Sequence, residues 1–302
     1  MSDKSPQISV LMPVYNAERY LREAVESILN QSFTDFEFLI VNDGSTDGSL
    51  SILEEYAAKD DRIRLINRPN TGYVVALNEM LELSQGEFIA RMDADDVATP
   101  ERFELQLLFM ESHPEVACVG GQILLIDPCG NPLVHFLHPL THEDIDTAHL
   151  SGSTAIAHPT ALIRREALLA VQGYRVEYYT AEDIDLFLRL AEIGRLANLP
   201  QMILRYRQLV SSISYSRRRQ QADSAWRATR AAADRRGLSF DVRPPDPNAA
   251  TESSSEIAAR WAWWALAAGN LSTARHHALR ALISHPLRLS NWRLAACALR
   301  GR

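Results

Sequence analysis

Four short apolar runs alternate with helical patterns over the first hundred residues, and each run ends in a polar cluster. "ISVLMP" (8–13), "FEFLIV" (36–41), "IRLI" (63–66) and "EFIA" (87–90) read as buried strands. Between them, Leu21, Ala24, Val25, Ile28 and Leu29 recur at helical spacing, then Leu50, Leu53 and Ala57, then Val74, Leu77 and Leu81. Asn16 is placed to cap the first of these helices. The alternation predicts a parallel sheet with helices on its faces. Such sheets bind ligands beyond the carboxyl ends of their strands. At those ends stand "VYN", "NDGSTD", "NRPNTG" and "MDADD".

Past residue 99 the pattern changes. Thr99-Pro100 predicts a helix start with Pro at the first position. "VACVGGQILLI" and "PLVHFL" flank the turn "DPCGN" and predict a hairpin. "TALIRREALLAVQG" gives a strand and a short helix ended by Gly173. A helix is expected from Thr180 to Gly194, with Ile184, Phe187, Leu188 and Ala191 on its buried side. "ILRYR" (203–207) closes the domain, residues 237–255 read as a Pro- and Ser-rich linker, and residues 256–299 as two or three helices. A length of 302 residues and a hydrophobic share of 46% suffice for one large α/β domain with an appendage.

"RMDADD" (91–96) crowds Asp93, Asp95 and Asp96 at the end of an apolar strand. In extended chain Asp93 and Asp95 project the same way. Two adjacent carboxylates are costly unless a cation accompanies them. Mg²⁺ or Mn²⁺ suits oxygen ligands and takes one or two carboxylates, with water and substrate phosphates in the other positions. A solvated turn, or capping of the next helix, would also place acids here. Asp47 in "STDGS" is open to the same two readings, ligand or cap. Thr180-x-x-Asp183 fits a capping box, so Asp183 is a helix cap or a base. His158 in "AHPT" is a structural histidine or a contact to phosphate or acceptor.

The segment "ISVLMPVYNAERYLREAVESILNQSFTDFEFLIVNDGSTDGS" resembles the opening of family 2 glycosyltransferases of the GT-A fold. "RMDADD" is similar to their D-x-D motif, and "AHPTALIRREALLAVQGYR" and "AEDIDLFLRLAEIG" to their acceptor-side segments. "LRYRQLVSSIS" resembles their usual domain end, so the resemblance spans about residues 7–215. It implies a Rossmann-like, mostly parallel sheet flanked by helices, with a nucleotide-sugar half (1–99) and an acceptor half (100–215). A connecting helix (216–236), the linker and a helical tail (256–302) would follow. It also implies an inverting, metal-dependent transfer from a nucleotide sugar, most simply UDP-linked, to a glycan, polysaccharide or glycolipid hydroxyl. Pro13, Val14 and Tyr15 would line the base pocket. Asp43 would accept from the base, and Arg68 would approach the base or diphosphate. Asp93 would face the ribose and Asp95 ligate Mg²⁺ or Mn²⁺, with Asp96 supporting the geometry. Asp183 would be the catalytic base, with Glu182 beside it.

Two rivals remain. A nucleotidyltransferase would carry a Gly-rich basic loop early in the chain, and "MPVYNAERY" is not one. An inactive scaffold with a docking tail would not need Asp95 and Asp183. A Rossmann oxidoreductase is disfavoured, because no G-x-G-x-x-G follows the first strand, and "NDGSTDG" lacks the end of a P-loop.

The net charge of −7 conceals a split. From Gln201 onward there are 17 Arg and no Lys against 6 Asp plus Glu, or +11, which leaves −18 for residues 1–200. Gly269, Ala274, Ala281 and Pro286 are spaced faintly like the second helix of a tetratricopeptide repeat. Trp261, Trp263 and Trp264 add apolar surface, to be packed on neighbouring helices or the main domain, or used for self-association, a partner or peripheral membrane contact. Cys118, Cys129 and Cys297 have no metal spacing and suggest a reducing compartment. With no apolar run of 18 residues and no signal region behind "MSDKSPQ", a cytoplasmic protein is expected, with no nucleic-acid partner.

Overall fold

The computed structural model describes residues 5–210, 217–246 and 252–301. The expected "SSIS" end of the domain (211–214) and the middle of the linker lie outside these residues. Contacts divide the chain into two compact units, and the division differs from the expected break at 215. The first comprises residues 1–122, 138–204 and 222–244, the second 123–137, 205–221 and 245–302.

In the first unit, β1 (Ile8–Val14), β2 (Phe36–Asp43), β3 (Ile63–Arg68) and β4 (Phe88–Arg91) pair in parallel in the order β3-β2-β1-β4. β1 is flanked on both sides, Ile8 opposite Phe36 on one and Phe88 on the other. It is therefore an unbroken apolar run rather than an alternating one. Beyond β4 the sheet turns antiparallel through β8 (Leu162–Arg164) to β6 (Val116–Ile126), then β9 (Arg195–Arg207) and the short β5 (Val97–Ala98). The helices α1 (Leu21–Leu29), α2 (Ser49–Ala57) and α3 (Tyr73–Leu83) connect the parallel strands. α4 (Arg102–Ser112), α5 (His142–Leu150), α6 (Arg165–Ala170) and α7 (Glu182–Leu190) serve the rest. Leu11, Leu39, Leu77, Met80, Ile163 and Phe187 share one core. The architecture is mixed α/β followed by C-terminal helices, as the resemblance implies.

Three local expectations are corrected. Asn16 caps nothing: it lies at φ 51°, its Oδ1 accepts the Thr46 N–H at 2.8 Å, and α1 starts only at Leu21. α4 starts at Arg102, past Pro100, whose carbonyl is taken by the Ser32 N–H at 2.8 Å. α7 starts at Glu182, because Thr180 sits at φ 80°, outside the helical region. The connecting helix, α8 (Arg218–Arg236), sets Ala225, Ala228 and Ala232 against Ala181, Ile184 and Leu188, and so braces the start of α7.

The second unit is a hairpin tip packed with helices. β7 (Pro132–Phe136) pairs antiparallel with β6, as expected. α9 (Ser254–Ala267), opened by a Ser253/Glu256 capping box, packs with α10 (Leu271–Ser284) and α11 (Leu289–Arg300). Alanines 258, 262, 265, 274, 278 and 281 are buried, and such small side chains let helices approach closely. Asp127 in the turn accepts N–H groups of Cys129 and Asn131 and meets His277 Nε2 at 3.0 Å. Burial pushes its carboxyl up, but these donors outweigh burial and hold it well below the usual range. Asn270 donates to the Leu133 carbonyl at 3.2 Å. The three tryptophans do not form one surface: Trp261 is buried edge-on against His277, Trp264 lies under Arg260, and Trp263 is exposed.

The tail is thus built into the hairpin. Deleting residues 237–302 is expected to uncover Leu133, whose burial contributes about 1.5–3 kcal/mol. The melting midpoint should fall by about 5 °C or more. Calorimetry of the truncated chain checks this, and an unchanged midpoint would mean the tail contributes nothing to folding.

Candidate active site

The candidate site residues lie in the first unit: Pro13 to Tyr15, Asp43, Arg68 and the Asp93 to Asp96 loop at the carboxyl ends of its strands, Glu182 and Asp183 at the start of α7, and His158 in a short turn before β8. β1 delivers half-buried Pro13, buried Val14 and, just beyond, exposed Tyr15. Beside it, Asp43 ends β2 directly opposite Arg68 at the end of β3. The two form an ion pair at 2.9 Å, and Arg68 also reaches Glu79 at 2.7 Å. The Asp43 carboxylate further accepts from the Thr71 N–H at 3.0 Å and the Gly72 N–H at 2.9 Å. A carboxylate offers about four acceptor positions, so one remains. Gly44 follows at φ 72°, where an added Cβ would meet the Asn70 amide at 2.6 Å, so its close approach is to the next loop. Asp47 accepts from the Glu18 and Ser49 N–H groups, the cap-like role.

The acidic loop after β4 rests on two buried guanidinium groups. Arg91 donates to Asp93 Oδ1 at 2.7 Å and to the Met92 carbonyl. Arg102 donates to the Arg91 carbonyl at 2.9 Å. Burial, together with the Arg91 charge, pulls Arg102 down to about 9, while the buried Asp96 opposes this. Asp93 and Asp95 stay half-buried. Carboxylate oxygens at a strand end are of the kind that suits Mg²⁺ or Mn²⁺ held by few protein ligands, and of these two Asp93 has one oxygen taken by Arg91. Among the described residues no cluster of three or more His, Cys, Asp or Glu side chains suited to a metal is found.

Glu182 is buried and Asp183 half-buried at the start of α7. The capping box is absent: Ala181 is the N-cap and makes no side-chain cap bond, while Asp183 Oδ1 accepts the Ile184 N–H at 2.9 Å. Tyr73, the first residue of α3, donates its hydroxyl to Glu182 Oε2 at 2.6 Å and accepts the Thr180 N–H. His158 is buried, with Nε2 3.0 Å from the Tyr174 hydroxyl and Nδ1 3.7 Å from Glu182 Oε1. Burial and, after it, the Arg91 charge hold it well below its ordinary pKa. The structure thus puts His158 beside Glu182, between it and Tyr174. Burial raises both carboxyls. Glu182 is pushed further by the Asp183 charge and Asp183 by that of Asp93, while Arg91 pulls both back. Arg91 therefore couples the acidic loop to the start of α7. Sequence reading missed it and Tyr73, although a basic residue ending a buried strand signals a carboxylate partner.

A cavity of 380 Å³ is lined by Asn70, Thr71, Gly72, Val74, Val75, Val176 and Tyr179, with Tyr179 ring-to-ring against Tyr73 at 5.1 Å. A larger one, 600 Å³, lies at the opposite ends of the strands around Gln7, Gly86 and Arg165. It is remote from these acids.

A carboxyl with a raised folded-state pKa adds stability that is complete below the ordinary carboxylate range and is lost as pH rises through the raised value. Glu182→Gln removes that loss and keeps an acceptor for Tyr73. The variant should melt like the wild type near pH 4 and increasingly above it as pH rises, the gap growing by up to about 1.4 kcal/mol per pH unit. Parallel melting curves over pH would refute the shifted carboxyl.

Residues 9–171 match the family model of glycosyl transferase family 2. The chain is 38% identical to the putative glycosyltransferase EpsE of Bacillus subtilis over 211 residues, 68% of this chain and 74% of that protein. It is 34% identical to the putative teichuronic acid biosynthesis glycosyltransferase TuaG of the same species, over 71% of this chain and 84% of that one. Solved structures with the same fold include S. aureus TarS (residues 1–349) with UDP-GlcNAc, at TM-score 0.57 and 19% identity, covering 97% of this chain and 79% of that chain. Another is a mannosyltransferase of Pyrobaculum calidifontis with GDP-Man and Mn²⁺, at TM-score 0.58 and 19% identity, covering 99% of this chain and 81% of that chain. The chain belongs to glycosyl transferase family 2 and is a glycosyltransferase. The family match ends at residue 171, short of Glu182 and Asp183.

Proposed function

We propose that this glycosyltransferase moves a sugar, with inversion, from a UDP-linked donor to a hydroxyl of a glycan, polysaccharide or glycolipid acceptor in cell-envelope synthesis. The observation that carries the reading is Arg91, bonded to Asp93 while its charge acts on Asp183. It ties a cation-suited loop and a raised carboxyl into one electrostatic unit. In this reading Pro13, Val14 and Tyr15 border the nucleotide base, the remaining acceptor position of Asp43 receives a ring N–H, and Arg68 stands near the base or diphosphate. Asp93 faces the ribose, and Asp95 holds the divalent cation. The cation would stabilise the departing nucleoside diphosphate as a Lewis acid. Asp183 takes the proton of the acceptor hydroxyl, an effect of roughly 10²–10⁴-fold for one placed base. Its raised pKa strengthens it as a base, with Glu182 and His158 setting its surroundings. Direct displacement with one base inverts the anomeric centre and needs no second, nucleophilic carboxylate. The bound sugar nucleotides of the two fold relatives support the donor class, and the Mn²⁺ of one supports the cation.

A panel of nucleotide sugars with Mg²⁺ or Mn²⁺, scored for slow donor hydrolysis, tests the reading. Release of free nucleoside diphosphate supports transfer, whereas pyrophosphate would make the protein a nucleotidyltransferase. Because adenine has no ring N–H to offer Asp43, ADP should bind more weakly than UDP. Equal affinities in calorimetry would remove the base-reading role.

A further inference from the structure

The second unit carries an exposed apolar turn that the transferase reading does not use. Between α10 and α11, Leu287 is 96% and Leu289 84% exposed, with Ile283 and Trp292 exposed on either side. Hydrogen bonds fix the turn. Arg288 N–H donates to the His285 carbonyl, Asn291 Nδ2 donates to the Ala281 carbonyl at 2.8 Å, and Trp292 Nε1 donates to the Pro286 carbonyl at 2.7 Å. The leucines are thus held outward on a built knuckle. The charge around it has one sign. From Ile257 to Arg302 the sequence has seven Arg and no Asp or Glu. The preceding acids are engaged, Glu256 with Arg288 at 3.0 Å and Glu252 with Arg260 at 2.6 Å. Arg280 and Arg293 flank the knuckle and are exposed.

We infer that this knuckle docks on an anionic lipid surface. Leu287 and Leu289 enter the acyl boundary, the Trp292 indole lies at headgroup depth, and Arg280 and Arg293 meet lipid phosphates. Charge complementarity selects this occupant: with Glu256 neutralised by Arg288, the net basic rim of Arg280 and Arg293 fits anionic headgroups and disfavours a second copy of itself. No helix among the described residues is long and apolar enough to cross a membrane, so the contact proposed is peripheral. The surface differs from the tryptophan cluster expected in the sequence, since Trp261 is packed inside the unit.

Flotation of the full chain with phosphatidylcholine vesicles, with and without phosphatidylglycerol, tests this. Binding to the phosphatidylglycerol vesicles alone, weakened by salt, is expected. Leu287→Ser with Leu289→Ser should lower the partition about tenfold or more, and Arg280→Glu with Arg293→Glu should also reduce it. Both pairs are exposed, so melting curves should not move. Absence of flotation on phosphatidylglycerol vesicles would overturn the inference, as would undiminished flotation of the Leu287/Leu289 variant. So would sedimentation velocity showing that these leucines join two copies of the chain instead.

Discussion

Asp183→Asn is expected to bind the donor nucleotide like the wild type and to lose transfer by about 10²-fold or more. The amide is nearly isosteric, and its oxygen can still accept the Ile184 N–H. The start of α7 is braced from behind by the alanines of α8, so the fold should hold. What disappears is a group able to take a proton. A second signature separates this from a packing defect. The Asp183 charge pushes Glu182 up, so removing it should let the Glu182 carboxyl titrate lower. In the wild type, turnover should fall as pH drops through the raised Asp183 value, above the ordinary carboxylate range, because the base must be ionised to act. Near-normal turnover in the variant, with unchanged donor affinity, would reduce Asp183 to a helix-start residue.

Asp95→Ala should abolish the contribution of Mg²⁺ or Mn²⁺ to UDP affinity. The loop it stands on is held by Arg91 and Arg102 through Asp93 and the Arg91 carbonyl, so its path should survive the change. Without the carboxylate the cation would be held less well and the diphosphate charge would go uncompensated, a loss of several kcal/mol in nucleotide affinity. Calorimetric titration with UDP, with and without the cation, reads this directly. If the cation strengthens binding equally in wild type and variant, the ligand lies elsewhere.

The parallel half of the fold was legible because β1 and β2 are covered on both faces and both edges. Their apolar runs are unbroken, and the polar clusters at their ends stand out. The loop acids were legible for the same reason, since they follow a buried strand. What stayed hidden depends on partners far away in sequence. Tyr73 reaches Glu182 across 109 positions, and His277 reaches Asp127 across 150. No local pattern encodes either. Thr180 misled in another way. Its sequence fits a cap, but at φ 80° it leads into the helix in a conformation β-branched residues rarely adopt, and its hydroxyl lies buried with no hydrogen-bond partner among the described residues. Such conformations cluster at functional sites, and this one adjoins the acid pair.

The discontinuous second unit sets an order of events on the ribosome. Its hairpin tip, residues 123–137, is synthesised long before α10 delivers His277. At about 5–20 residues per second, Asp127 and Leu133 wait roughly 7–30 s for their partners. The nascent chain therefore passes through an interval with Leu133 uncovered. During that interval a chaperone or a neighbouring chain competes with the protein's own late-arriving helices.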